Sequence, residues 1–363
     1  MIVNRRGVHL LVDVDGYADN GKHGIFVEEP AALQIAYLGT SASHGAQYLQ
    51  YIGIDRWSAP PEFASQYEES LWYMPYTFQI NSHRMEEGLG HFDSDLEQYG
   101  VTRAEAGLPS GATVLMNFNQ YHKVSAEDFA AWLRILRRTN NTVLWLLQPR
   151  RSESAAARLR AAAQTAGLGD RIVFAEEIPM HMNLQRLRLA DVSVDTRVYG
   201  AVSTATDILW AAVPLISTPH LSFVSRAASA ILVATGMAEL VARTDEDFED
   251  LSVAVIAVIQ RLQSQRAAFG NGTFASQSSS RNSLRRRLQR RVYLQPHFDT
   301  QTWVRAWETN AKMAWDLRLE LRHLIVKGAA VGSQLRMPHL VAAQRFQNCP
   351  GASYCTSDGG TGA

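Results

Sequence analysis

The middle of the chain alternates apolar segments of strand length with amphipathic segments of helix length. Strands are predicted over 112–119, 142–148, 171–175, 192–195 and 213–217, and helices over 126–138, 153–166, 184–189 and 205–212. Strands that alternate with helices pair in parallel and are joined by right-handed crossovers. The pattern therefore predicts an α/β fold with a parallel, doubly wound sheet.

The helix over 126–138 carries the strongest local signals. Its apolar side chains recur at helical spacing, at Phe129, Trp132, Leu133 and Leu136. Ser125 and Asp128 form a capping-box pattern, in which each side chain bonds the other residue's amide. We therefore expect this helix to begin just after Ser125.

The amino-terminal part has a less regular pattern. Runs over 8–12, 33–38 and 48–54 predict strands, with turn-rich segments between them. Because the first run has no preceding element, we expect this lobe to lack its beginning. The polar stretch 93–108 is the predicted boundary between two lobes.

The carboxyl-terminal part is predicted to be helical and then flexible. A helix follows Thr244 and another spans 303–325, and beyond Lys327 the composition shifts to Gly, Ser, Thr and Gln. Six arginines fall within 281–291; a solvated helix face is the favoured interpretation, and a phosphate- or nucleic-acid-binding patch is the alternative. The predicted division is 1–100 (partial amino lobe), 101–275 (complete Rossmann-like lobe), 276–330 (basic segment and long helix) and 331–363 (flexible tail).

Composition narrows the class of protein. The 363 residues exceed the usual size of one core, and the 46% hydrophobic content can fill two. Thirty-five basic and thirty-five acidic residues cancel, which argues against nucleic acid or a membrane surface as partner. The two cysteines, Cys349 and Cys355, lie in the predicted tail and imply no disulfide framework. Without a membrane-spanning run or a signal-peptide pattern, we expect a cytoplasmic protein, with the nucleus left open.

Candidate chemistry lies at three predicted strand ends that share one edge of the sheet. These strands are followed by 120–123, 178–181 and 200–204. Ligands of such sheets bind at this edge, where helix amino termini offer free N–H groups and a positive dipole to anions. Lys123 suits a phosphate there, although a single lysine is usually only solvated. His122 and His181 are weaker candidates.

Ser203 and Thr204, followed by Asp207, are the most informative residues at this edge. In a structural interpretation Thr204 caps the helix and Asp207 bonds back to it. In a functional interpretation the hydroxyls and amides bind a diphosphate, and Asp207 binds a ribose hydroxyl. Walker, Gly-x-Gly-x-x-Gly, His-Glu-x-x-His and Gly-x-Ser-x-Gly patterns are missing, so P-loop, dinucleotide-binding, zinc-protease and α/β-hydrolase functions lack support.

The same segments resemble a known family. Asn117-Phe118-Asn119-Gln120 through Lys123, 143–147, 189–196 and 204–214 are similar to the catalytic domain of protein O-linked N-acetylglucosaminyltransferases, the O-GlcNAc transferase/SPINDLY family. Asp15-Gly16-Tyr17, Pro30-Ala31, Leu38-Gly39 and Tyr73-Met74-Pro75 belong to the same collinear pattern. Trp145 and its neighbours favour the N-acetylglucosaminyl branch over the fucosyl branch.

The resemblance implies a two-lobed GT-B glycosyltransferase. Its carboxyl lobe would bind UDP-GlcNAc without a metal or other cofactor and transfer GlcNAc, with inversion, to Ser or Thr of intracellular proteins. Matched positions assign Gln120 and Lys123 to the diphosphate, and Lys123 is the implied catalytic residue because it would neutralise charge on the departing UDP. The remaining implied donor contacts are Ser203 and Thr204 at the helix amino terminus, Asp207 at the ribose, Arg186 at the uridine, and Leu38 and Gly39 at the sugar.

Several positions depart from the family pattern. Val202 and Asn183 stand where the family has histidines, and Met180 stands where it has a lysine, for which His181 is a partial substitute. The segment 40–44 lacks the family's Tyr-Pro-Gly. The early amino lobe, with a histidine near the acceptor, and the tetratricopeptide repeats are not in this sequence. A catalytically silent UDP-sugar-binding or scaffolding homologue, or a protein O-fucosyltransferase, is therefore the alternative to the enzyme.

Overall fold

A computed structural model describes residues 2–18, 21–86, 102–269, 281–326, 337 and 339–341. Its strands are β1 (Leu10–Asp13), β2 (Leu33–Ala36), β3 (Tyr51–Asp55), β4 (Ser70–Met74), β5 (Thr113–Asn117), β6 (Thr142–Gln148), β7 (Ile172–Glu176), β8 (Val192–Val194), β9 (Leu215–Ile216) and β10 (Leu340–Val341). Its α-helices are α1 (Ile2–Arg5), α2 (His23–Val27), α3 (Ala126–Arg138), α4 (Glu153–Thr165), α5 (Met180–Leu187), α6 (Ser203–Trp210), α7 (Phe223–Ala234), α8 (Asp245–Phe269), α9 (Arg281–Leu294) and α10 (Thr300–Val326).

The first sheet has the strand order β1-β2-β3-β4-β10, and all its pairs are parallel. Alternate residues of its strands serve opposite faces, as the pleat requires. One face packs against α10 through Leu33, Ile35, Tyr51, Trp72 and Met74, together with Trp303 and Trp307 of the helix. The other face packs against α7 through Ala36, Ile52, Ile54, Leu71 and Tyr73, together with Phe223 and Ala227. Helices from distant parts of the chain thus cover both faces.

The second sheet has the order β7-β6-β5-β8-β9 and is also parallel. Its central strand β5 is buried along its whole length, as expected of a strand covered on both faces. The chain winds outward from β5 through β6 to β7, and then crosses over to β8 and β9. The sequence prediction of a parallel, doubly wound sheet is confirmed.

Agreement between predicted and observed elements is closest in this second sheet. Helix α3 and strand β6 have the predicted bounds, and the Ser125–Asp128 capping box is formed. Helix α6 begins at Ser203, two residues before its predicted start. Strand β4 and helix α7 were not predicted, because their residues are buried almost throughout and show no alternation of apolar and polar positions.

The predicted segment 276–330 contains two helices with different partners. Leu288 and Val292 of α9 lie in the core of the second sheet, whereas α10 packs on the first sheet. Arg285 donates to the carbonyls of Arg188 and Ala190, and Arg287 pairs with Glu239. These intramolecular partners favour the structural interpretation of the basic segment.

The predicted tail, 331–363, contributes a strand to the first sheet. Leu340 and Val341 of β10 pair with Trp72 and Tyr73 of β4. The amide of Leu71 also donates to Nδ1 of His339, 2.9 Å away. Four residues of the segment are described, and the others lie outside the described residues.

Candidate functional site

The candidate site lies between the carboxyl ends of β5 and β8, where the winding of the second sheet reverses. At such a point, the connections that follow the two neighbouring strands run to opposite faces of the sheet and leave a space between them. Doubly wound sheets bind their ligands in that space. The loop after β5 carries Gln120 and Lys123, and the loop after β8 leads to Ser203 at the start of α6. The structure therefore brings together two of the three predicted strand ends at this crevice.

Lys123 connects these two loops. Its Nζ donates to the carbonyl oxygen of Gly200, 3.3 Å away, and lies 4.2 Å from the centre of the Tyr199 ring. Among the described residues it has no carboxylate within ion-pair distance, so its charge is held by a carbonyl and an aromatic face. Burial lowers the pKa of Lys123, and the nearby Asp195 opposes that shift. The result is a half-buried cation at the crevice without an anionic partner in contact.

Asp195, which sequence reasoning did not single out, organises the loop after β8. Its carboxylate accepts hydrogen bonds from the amides of Thr196 and Ala201 and from the hydroxyl of Ser217, all at 2.8–2.9 Å. Burial raises the pKa of Asp195 to about 6, although these hydrogen bonds and Lys123 act in the opposite direction. Asp195 thus fixes the segment that presents Gly200 to Lys123. Only its place at the end of a predicted strand pointed to it.

The amino terminus of α6 is open. Val202 occupies the N-cap position, and no side chain within the described part of the chain caps the helix. Ser203 is exposed and Thr204 half-buried, so the amides of the first turn are free for an anion. Asp207 does not bond back to the helix start but contacts His83. The capping-box interpretation of Thr204 and Asp207 is therefore wrong.

Arg186 is buried beside the end of β5. Its Nη1 donates to the carbonyl of Glu176 at 2.6 Å, and its Nη2 donates to Oδ1 of Asn183 at 2.7 Å. The guanidinium lies 5.0 Å from the centre of the Phe118 ring. Burial lowers its pKa to about 10, which leaves it charged at neutral pH. Asn183, at a position where the resemblance implies a histidine, is thus hydrogen-bonded to Arg186.

The other departures lie in contrasting environments. Val202 packs with half-buried Leu38 against one apolar cluster that includes Phe78 and Phe223. This cluster joins the two lobes, and an apolar side chain at 202 suits it. Met180 and His181 are both exposed in the first turn of α5. The idea that His181 takes over the role of the family lysine that Met180 replaces stays a prediction.

Leu38 and Gly39 form a tight turn at the edge of the first sheet. Leu38 has a positive φ of 65°, and a side chain on Gly39 would overlap the carbonyl of Asp15. The amide of Tyr17 also donates to Oγ1 of Thr40, 2.9 Å away. The two loops that follow β1 and β2 are therefore packed against each other. Leu38 itself is on the side of the first sheet that contacts α7.

A second group of titratable side chains, here called the amino-lobe cluster, lies close to these loops. It consists of Asp13, His23, His44 and Glu69, with nitrogen-to-oxygen distances of 3.8–4.0 Å between imidazoles and carboxylates. Burial lowers the pKa of His44, while both carboxylates oppose the shift. Glu69 accepts hydrogen bonds from the amide of His44 and the hydroxyl of Ser43. Sequence reasoning did not identify this cluster.

Neither a metal centre nor a membrane span was found in the part of the chain that the structure describes. Within it, no group of three or more His, Cys, Asp or Glu side chains has an arrangement that could hold a metal ion. Its helices include none that is both long and apolar enough to cross a bilayer.

Two α/β lobes, each built on a parallel sheet, form a GT-B glycosyltransferase fold, and solved structures have the same fold. A mutant of the Thermobaculum terrenum O-GlcNAc transferase superposes with a TM-score of 0.67 at 22% identity, over 90% of this chain and 56% of that one. A glycosyltransferase from Rickettsia africae gives a TM-score of 0.57 at 8% identity, over 86% of this chain and 78% of that one.

Sequence comparison then gives the family. The model of glycosyl transferase family 41 matches residues 2–94 and 93–280, and the chain belongs to that family. A probable UDP-N-acetylglucosamine-peptide N-acetylglucosaminyltransferase of Arabidopsis thaliana is 28% identical over 87% of this chain and 30% of its own length. The Caenorhabditis elegans UDP-N-acetylglucosamine-peptide N-acetylglucosaminyltransferase is 24% identical over 72% of this chain and 32% of its own length. The chain thus spans about a third of these relatives.

Proposed function

We propose that this chain is the donor-binding part of a glycosyltransferase that uses UDP-GlcNAc and transfers GlcNAc, with inversion, to Ser or Thr of proteins. The names of its relatives in Arabidopsis and Caenorhabditis support this donor and a peptide acceptor. The single observation that carries the proposal is the contact of Lys123 with Gly200, just before the uncapped amino terminus of α6.

The chemistry follows from charge. When the bond between the sugar and UDP breaks, negative charge grows on the β-phosphate, and a fixed cation stabilises that charge more than it stabilises the bound donor. Lys123 is suited to this role because no described residue places a competing carboxylate within ion-pair distance of it, and its Nζ bonds a carbonyl. The free amides of α6 add a second source of positive potential.

The remaining residues are assigned to binding. Gln120, which is exposed on the loop after β5, and the hydroxyls of Ser203 and Thr204 would contact the diphosphate. Asp207 would accept a hydrogen bond from the ribose, and Arg186 would lie at the uridine. Leu38 and Gly39 would approach the sugar from the other lobe, and His181 is the weakest of these assignments.

A catalytically silent UDP-sugar-binding protein is the second candidate, and particular observations favour it. Val202 is committed to an apolar cluster and Asn183 to Arg186, so neither position supplies an imidazole to the donor. Met180 is 61% exposed and supplies no charge. A protein O-fucosyltransferase of the same family differs from the main proposal in its donor alone.

Calorimetric titration with UDP tests the site itself. Each missing family contact should weaken binding by about 1–3 kcal/mol if it was a hydrogen bond to a charged group. We therefore expect dissociation constants in the micromolar range or weaker. A folded sample that takes up no UDP at millimolar concentration would contradict both the enzyme and the silent binding protein.

The substitution Lys123→Met tests the catalytic role, in this chain or in a longer protein that contains it. Turnover of UDP-GlcNAc on a Ser/Thr peptide should fall by about 100-fold in kcat, with a smaller change in the donor KM. Lys312→Met, which alters an exposed lysine of α10, is the matched control. GDP-fucose replaces the donor in a parallel assay.

The outcomes separate the candidates. A Lys123→Met variant within threefold of wild type would assign leaving-group stabilisation to the helix terminus alone. UDP binding without transfer from either donor would favour the silent homologue. Transfer from GDP-fucose alone would identify the fucosyltransferase.

A further inference from the structure

One residue of the first lobe contacts the nucleotide site proposed above. His83 follows β4 in the chain, and its Nε2 lies 2.7 Å from Oδ1 of Asp207 on α6. A ring nitrogen at this distance from a carboxylate donates a hydrogen bond to it. The two residues are 124 positions apart in sequence, so the contact joins the two lobes.

The His83 ring is packed among aromatic side chains, and its hydrogen bond in the described structure is to Asp207. The imidazole is 9% exposed and lies 5.7 Å from the Trp210 ring and 6.1 Å from the Phe298 ring, measured between centroids. Its Nδ1 is buried and has no hydrogen-bond partner among the described residues. Aromatic packing therefore fixes the position of the ring, and the one hydrogen bond that it forms in the described structure is directed at Asp207.

Neighbouring hydrogen bonds connect this part of the first lobe to other elements. Nδ2 of Asn81 donates to the carbonyl of His297 at 2.7 Å, and the hydroxyl of Thr300 donates to the carbonyl of Asn81 at 2.6 Å. Nε2 of His297 in turn lies 3.0 Å from Oγ1 of Thr206, the residue before Asp207. The segment that carries His83 is thus tied to both α6 and the start of α10.

We propose that His83 is a positioning residue of the nucleotide site, an inference that rests on the proposed UDP-binding function. His83 donates a hydrogen bond to Oδ1 of Asp207 and so fixes the carboxylate. No described residue donates to Oδ2, which accepts a hydrogen bond from a ribose hydroxyl. A carboxylate whose orientation is fixed before binding loses less rotational freedom when the ligand arrives. The first lobe then contributes to ribose recognition without touching the nucleotide.

The test compares two ligands, because a residue that merely stabilises the fold would weaken both equally. UDP and 2′,3′-dideoxy-UDP differ only in the ribose hydroxyls. A hydrogen bond to a charged group corresponds to roughly 10-fold or more in affinity, so wild type should prefer UDP by about that factor. In His83→Phe we expect the preference to fall to about threefold or less, since Asp207 is no longer held.

The variants are chosen to keep the packing. Phenylalanine fills the space between Trp210 and Phe298 but donates no hydrogen bond, whereas glutamine keeps an N–H group that can reach Asp207. His83→Gln should therefore restore part of the preference for UDP. His323→Phe, which changes an exposed histidine in the last turn of α10, is the matched control and should bind both ligands as wild type does.

The outcomes distinguish this inference from the proposed function. No UDP binding by wild type overturns the function. UDP binding with a full ribose preference retained in His83→Phe overturns the role of His83 alone. UDP binding with no ribose preference in wild type overturns both the role of His83 and the assignment of Asp207 to the ribose. If His83→Phe does not fold, imidazole ¹⁵N shifts of wild type decide: the inference requires that UDP, and not the dideoxy ligand, shifts the His83 signal.

Discussion

The two sheets are built from segments that differ greatly in their separation along the chain. The second sheet uses consecutive strands from β5 to β9, each joined to the next by its own crossover. The first sheet pairs β4 with β10 and packs one face on α10. The hydrogen bond between Leu71 and His339 joins residues that are 268 positions apart in the chain. One lobe is therefore encoded locally, and the other depends on distant parts of the chain.

Asp195 and the amino-lobe cluster differ in how completely their polar atoms are paired. Asp195 in the second lobe is surrounded by donors at 2.8–2.9 Å. In the amino-lobe cluster, Oδ2 of Asp13 and both ring nitrogens of His23 and His44 have no hydrogen-bond partner among the described residues. Because a buried polar atom stabilises a structure only when it is paired, Asp195 is held by a more complete set of hydrogen bonds than the amino-lobe cluster.

The largest effect is expected from breaking the contact between the first sheet and α10. The Trp307 ring lies 4.9 Å from Tyr37, 5.0 Å from Trp72 and 5.2 Å from Trp303, centroid to centroid. Trp307→Ala removes this packing and should lower the free energy of unfolding by about 4 kcal/mol. Urea denaturation followed by circular dichroism measures it.

Val304→Ala is the control on the same helix, since Val304 is 38% exposed. It should change stability by less than about 0.5 kcal/mol, as is usual for surface positions. A Trp307→Ala protein that unfolds at the same urea concentration as wild type would mean that the first sheet does not rely on α10. The contrast between the lobes would then disappear.

The next effect concerns Asp195 and pH. Its pKa is raised from 3.8 to about 6, so the folded protein binds more protons than the unfolded chain between these values. Stability from this group is therefore lost as pH rises through that window, by about 3 kcal/mol for a shift of this size. Asp195→Asn removes the dependence, and urea denaturation from pH 4 to 7 measures it.

The stability contributed by His297 changes with pH in the opposite direction to that of Asp195. The measurement should therefore compare the stability of wild type with that of Asp195→Asn at each pH. Burial lowers the pKa of His297 from 6.5 to about 3, so its contribution to stability rises with pH over the overlapping range. Wild type and Asp195→Asn share this term, and subtracting their curves cancels it. Parallel curves would show that folding does not raise the pKa of Asp195, which would then be ionised beside Lys123 at neutral pH.

The contrast between local and distant contacts also explains what could be predicted from the sequence. Helix α3 and strand β6 were predicted at their observed bounds because their signals lie within a few residues. The proposal that the start of α6 binds an anion also came from a local signal, and it stays a prediction. The pair of His83 and Asp207 has no local signal, since a long stretch of chain separates its members. Asp195 looked like any polar residue that ends a strand, and only the folded loop makes it an acceptor of several hydrogen bonds.

The smallest expected effect concerns the capping box of α3, a local signal of the second lobe, and its contribution to the free energy of unfolding. Oγ of Ser125 accepts from the amide of Asp128 at 3.0 Å and donates to its carboxylate at 2.9 Å, which caps α3. Ser125→Ala should cost about 1 kcal/mol in the free energy of unfolding, because an amide of the first turn loses its partner while Asp128 keeps Arg197. Ser152→Ala is the matched control: Ser152 precedes α4 but forms no side-chain cap, so its loss should cost clearly less. Equal losses for the two serines would show that the capping box adds nothing, and that α3 is held by its buried face alone.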